Sequence, residues 1–143
     1  MNTDRSTFLL QLEDELLIGD VMLSEWSTFL ARDADKAFQA GADLATILMS
    51  QAAIECHLRY EYFRDEQRKL GFYDLIEQSP LDAKLKADLH RIRKYRNRWV
   101  HVNDPHDDED LLTRPEYYET ELDEMAFDAI RAMMKTLYLE QGL

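Results

Sequence analysis

The stretch SPLDAKLKADLHRIRKYRNRWVHVNDP, residues 79–105, decides the fold. Ser79 can cap a helix, Pro80 suits its first position, and Asp82 completes a capping-box-like pair. Leu85, Leu89, Ile92 and Trp99 then recur at helical spacing, as they do along the buried stripe of an amphipathic helix. Pro105 disfavours helix at Asp104, so the spacing predicts a long helix ending near Val102. Position 96 belongs to the same stripe, and it holds an arginine. Burying an unpaired guanidinium is costly, so Arg96 needs a carboxylate or an interface. His101 lies five residues on, about 140° round the helix, and so does not share a face with Arg96. Asn97, four residues before His101, is adjacent to it.

Outward from this helix, three more are expected. Toward the N-terminus, Leu9, Leu12, Leu16, Leu23, Trp26 and Leu30 keep one seam over about residues 5–35, with Gly19 in its gap marking a break or a close helix approach. Leu44, Ile47, Leu48, Ile54, Leu58 and Tyr62 give the apolar face of a second helix over about 40–68, with Gly71 expected to end it. GFYDLIEQ is a short connector, and the helix containing Arg96 is the third. After a solvated loop, NDPHDDED, a fourth begins near Pro115 and turns Leu122, Ala126, Ala129, Ile130, Met133 and Leu137 inward. These elements predict an all-α chain: a single domain over residues 1–143, built as an antiparallel bundle of four helices, or five if the connector is itself helical.

Composition agrees with this reading. Four glycines and three prolines are few breaks for 143 residues, and Leu, Ala, Glu, Lys and Arg favour helix. A single cysteine, Cys56, permits no intrachain disulfide and fits a reducing cytoplasm. It is read as a core thiol. The apolar run near the N-terminus is broken by Glu13, Asp14 and Glu15, so neither a signal peptide nor a membrane span is expected. The net charge is −12, which argues against indiscriminate nucleic-acid binding. Its distribution says more. Lys84, Lys86, Arg91, Arg93, Lys94, Arg96 and Arg98 face only Asp82 and Asp88 between positions 81 and 101. One positive segment in an acidic body can attract a polyanion locally.

Other chemistries find little footing. Glu55, His57 and Glu61 do not have the Glu-x-x-His spacing of a di-iron bundle. His106 and the acids that follow it read as a hydrated loop rather than a metal site. No glycine-rich phosphate loop occurs, and neither metal nor cofactor is expected.

Taken together, Arg96-Asn97-Arg98-Trp99-Val100-His101 resembles the RxxxxH signature of the HEPN superfamily, including the frequent Asn after the Arg. SQAAIECHLRYEY, residues 50–62, resembles that family's second long helix, with Glu55 in the place of its acidic residue. The resemblance implies a HEPN-like helical bundle that forms a homodimer through the motif helices and cuts RNA without metal, often as a toxin or antiviral effector. Arg96 and His101 would then be the catalytic pair, drawn from both protomers into one cleft. Asn97 would support them and Glu55 would orient Arg96. An antitoxin or another defence-system protein would be the further partner. Toxins paired with nucleotidyltransferase antitoxins often carry a tyrosine two residues after the histidine. Asn103 stands there, so control by nucleotide transfer is not expected.

The residue types suit that chemistry. Histidine can move protons near neutral pH, and arginine offers a planar fork to phosphate oxygens. Arg93, Lys94 and Arg98 would hold flanking phosphates. The alternatives are a non-catalytic HEPN binding or assembly module that keeps Arg96 for a salt bridge, and a regulator that binds a phosphate ligand at the same cleft.

Overall fold

The computed structural model describes residues 3–101 and 111–142. Asn103 and the acidic run 104–110 lie outside them. The described residues form six helices: α1 (Thr3–Leu16), α2 (Glu25–Gln39), α3 (Asp43–Tyr62), α4 (Phe72–Gln78), α5 (Ala83–Val100) and α6 (Pro115–Leu137). The all-α expectation holds. The helix count does not, because the first expected helix is two.

The break at residues 17–24 is held from the far end of the chain. The side-chain amide of Gln141 donates to Leu16 O at 2.8 Å, and its oxygen accepts from the N–H groups of Ile18 (2.9 Å) and Gly19 (2.8 Å). Asp20 and Gly142 exchange backbone hydrogen bonds at 2.8 Å in each direction. Groups left over at a helix end must find partners, and here Gln141 supplies them. Ser24 then caps α2 by accepting from Ser27 N. The Leu16–Leu23 seam thus crosses a loop, and Trp26, expected inside, is 77% exposed. Gln141→Ala is expected to cost about 1–3 kcal/mol and to speed hydrogen exchange at the Ile18 and Gly19 amides. Unchanged protection there would refute this account of the break.

Gly41, with φ +77°, turns the chain between α2 and α3. Its N–H bonds Phe38 O at 3.1 Å and Ala42 N–H bonds Ala37 O at 2.9 Å, the pairing of a Schellman stop. Helix α3 ends at Tyr62, well before Gly71, which instead precedes α4. Ser79 closes α4, its hydroxyl donating to Leu75 O, so it does not begin α5. Asp82 takes that part, accepting from Leu85 N at 2.8 Å. Pro115 opens α6 as expected.

Helix α3 is central. It packs most extensively on α2 and α6 and also meets α4 and α5. Its buried residues Ile47, Ile54 and Leu58 join Phe38 of α2, Leu75 and Ile76 of α4, Leu89 and Ile92 of α5, and Ile130 and Met133 of α6 in one core. Helix α1 lies against α2 and α6. No described helix is long and apolar enough to cross a membrane.

The N-terminal helix is pinned by a clamp that the sequence did not announce. Arg5 is 2% exposed. One guanidinium nitrogen lies 2.7 Å from Asp43 and 2.6 Å from Asp123, and the other donates to Phe38 O at 2.8 Å. The guanidinium also lies over the Phe38 and Phe127 rings, at 4.6 and 5.1 Å. One side chain therefore joins α1, α2, α3 and α6.

Candidate functional site

Helix α5 carries the candidate residues, and its buried side places them. Leu85, Leu89, Ile92 and Tyr95 are buried, and Trp99 is half-buried against the core. The stripe thus steps from Ile92 to Tyr95, three residues on, rather than to Arg96. Both steps are helical neighbours, and the aromatic ring takes the interior place. Arg96 stands at the stripe's margin, half-buried. The expectation of a guanidinium in the core is corrected accordingly.

Asn97 links the two signature residues. Its Oδ1 accepts from Arg96 Nη1 at 3.3 Å, and its backbone carbonyl accepts from His101 N–H at 2.9 Å. His101 is the C-cap of α5, with non-helical backbone (φ −121°, ψ 72°), and its ring is exposed. Among the described residues Arg96 stands in no ion pair. Glu55, expected to orient it, instead holds Arg59 of its own helix at 3.3 Å. Arg59 also donates to Leu70 O at 2.6 Å, tying the chain after α3 back onto it.

The three expected phosphate contacts differ in their freedom. Lys94 is exposed. Arg98 bonds Glu121 of α6 at 3.0 Å and lies over the Tyr95 ring. Arg93 donates to Nδ1 of His90 at 3.3 Å and lies 5.2 Å from the Tyr73 ring centroid. Because His90 Nδ1 accepts, its Nε2 carries the proton and donates to Glu77 at 2.8 Å. Exposed pairs such as Arg98–Glu121 are worth at most about 1 kcal/mol, so an incoming phosphate can displace the carboxylate at little cost.

Beside the end of α5, Trp99 meets Tyr118 edge to face at 6.2 Å. The Tyr95 hydroxyl is pushed up to about 12, chiefly by burial, with Glu121 adding and Trp99 opposing. These aromatic side chains brace the α5–α6 junction. Trp99 packs against the core as its spacing implies, and Tyr95, which that stripe left out, is buried as well. The roles of Glu77, His90 and Glu121 were missed. Each is an ordinary surface residue in sequence and acquires a partner only across helices.

Two further groups lie elsewhere. His57 is 2% exposed, and neither ring nitrogen has a hydrogen-bond partner among the described residues. Burial holds its pKa below the usual imidazole value, against the charge of Glu140. Cys56, expected in the core, is half-buried with its sulfur 4.0 Å from Ser24 Oγ. No family model, curated protein or solved structure matches the chain.

Proposed function

We propose that this chain is a metal-independent endoribonuclease of the HEPN type, working in the cytoplasm as a homodimer through α5 and serving as a toxin or phage-defence effector. The observation that supports this reading best is the Arg96–Asn97–His101 set at the end of α5. The imidazole is exposed, and the guanidinium, five residues earlier, is half-buried with no carboxylate partner among the described residues. Asn97 holds one by its side chain and the other by its backbone.

In the proposed reaction one His101 takes the proton from a ribose 2′-OH. The freed oxygen attacks phosphorus, the bond to the 5′-oxygen breaks, and the His101 of the second protomer protonates the leaving oxygen. The products are a 2′,3′-cyclic phosphate and a 5′-hydroxyl, with no net proton consumed. Arg96 places its planar fork on the nonbridging oxygens, where charge grows in the transition state. Lys94, with Arg93 and Arg98 released from their partners, holds flanking phosphates.

A second reading, a non-catalytic HEPN binding or assembly module, is favoured by the pairing of Glu55 with Arg59, which leaves Arg96 without the orienting acid. Incubation of purified protein with labelled RNA in EDTA separates the two. Cleavage with cyclic-phosphate ends, abolished in a folded His101→Ala variant, supports the nuclease. Intact RNA with wild-type protein overturns it.

A further inference from the structure

Helix α2 turns one face to the core and leaves an apolar face in water. Ser27, Ala34 and Phe38 are its buried residues, and it packs on α1, α3 and α6. Phe29 lies nine residues before Phe38, two and a half helical turns, and so points the opposite way. It is 62% exposed, Trp26 is 77% exposed, and Met22, in the loop before the helix, is 80% exposed. The three follow steps of four and three, the spacing of one stripe. At about 150–250 Å² per large side chain, they leave on the order of 450 Å² of apolar surface in water. A patch of that size on a single chain marks a contact surface.

The charges beside the stripe say what covers it. Glu25 and Arg32 lie on one flank, seven residues apart with Phe29 between them, and Trp26 and Asp33 lie on the other. Glu25 and Arg32 are both exposed, and the Arg32 guanidinium lies over the Phe29 ring at 5.1 Å. Neither stands in an ion pair among the described residues. An acid and a base at opposite ends of an apolar stripe complement the same stripe run in reverse. The face as a whole is balanced, with Glu25 and Asp33 against Arg32 and Lys36. It therefore offers no net charge to a polyanion or an anionic lipid surface.

We propose that this face packs against the same face of a second copy of the chain, the two α2 helices antiparallel about a two-fold axis. Like flanks then meet, so Glu25 of each copy stands opposite Arg32 of the other, twice by symmetry. Met22, Trp26 and Phe29 of both copies fill the space between. A standard interface takes roughly 800 Å² from each partner, and the flanking charged side chains supply what the apolar stripe lacks. Helices run in the same direction would instead bring Glu25 level with Glu25 and Arg32 level with Arg32. Helix α2 does not touch α5, so this contact is separate from any pairing through α5. Where both form, dimers are joined into larger assemblies.

Sedimentation of the full chain at about 100 μM protein, in salt of about 0.15 M, is the test. Wild-type protein should self-associate. Glu25→Arg and Arg32→Glu each place like charges together at both ends of the stripe, and each alone should weaken association at least about tenfold. An equimolar mixture of the two single variants restores both opposite-charge pairs, and should associate within about twofold of the wild type. The double variant Glu25→Arg/Arg32→Glu should do the same. All four positions of the exchange are exposed, so circular dichroism should not change. A wild-type mass equal to that of both single variants overturns the proposal, as does a mixture that associates no more tightly than either variant alone. Wild-type protein that floats with phosphatidylcholine vesicles without self-associating assigns the face to a membrane and overturns it too. None of these outcomes bears on RNA cleavage.

Discussion

Arg5→Ala is expected to lower the free energy of unfolding by about 3–5 kcal/mol. The guanidinium joins two carboxylates and a backbone carbonyl within 2.8 Å and packs against two aromatic rings. Truncation empties that volume and leaves Asp43, whose side chain is only 17% exposed, with an uncompensated charge. Asp123 suffers less, since its side chain is 54% exposed and water can solvate it. The Arg5→Ala/Asp43→Asn double variant should therefore recover part of the loss, because the stranded charge is gone although the packing defect remains. Denaturant titration checks this: the midpoint should fall with the slope unchanged. A loss below about 1 kcal/mol would mean that water readily replaces the guanidinium.

What made this clamp illegible explains most of what the sequence withheld. Near the N-terminus, Arg5 reads as one charge before an apolar run, and its partners are 38 and 118 residues away. The same holds for the α1–α2 break. Leu16 and Leu23 are one heptad apart, so the seam stays in phase across the loop. Gly19 left a break and a close approach both open, and Gln141, arriving from the C-terminus, decides for the break. By contrast α6 was readable, because Ala126, Ala129, Ile130, Met133 and Leu137 face the core directly and Pro115 marks the start locally. Helix α5 was legible in extent but not in phase. Steps of three and four both keep to one face, and choosing between Tyr95 and Arg96 requires knowing what packs opposite. For the candidate site, the order of Arg96, Asn97 and His101 along the helix was evident, whereas the partners of Glu55 and Arg98 depend on tertiary placement.

On the proposed nuclease reading, histidine to alanine at position 101 is expected to slow RNA cleavage by about 10²–10⁴-fold, and the manner of the loss is more telling than its size. If each cleft needs one imidazole as base and another as acid, a mixed dimer with a single His101 lacks one of the two proton transfers. Coexpression of wild-type and His101→Ala chains in equal amounts, with random pairing, leaves about one quarter of the dimers intact. Activity should then fall to about a quarter of the all-wild-type value. A site complete within one protomer would instead retain about a half. Arg96→Lys adds a second discrimination. The ammonium keeps the charge but loses the fork and the reach to Asn97 Oδ1, so cleavage should drop by one or more orders of magnitude while weak RNA binding persists. An active Arg96→Lys enzyme would assign Arg96 to charge alone, and half-activity in the mixed dimers would remove the shared cleft from the mechanism.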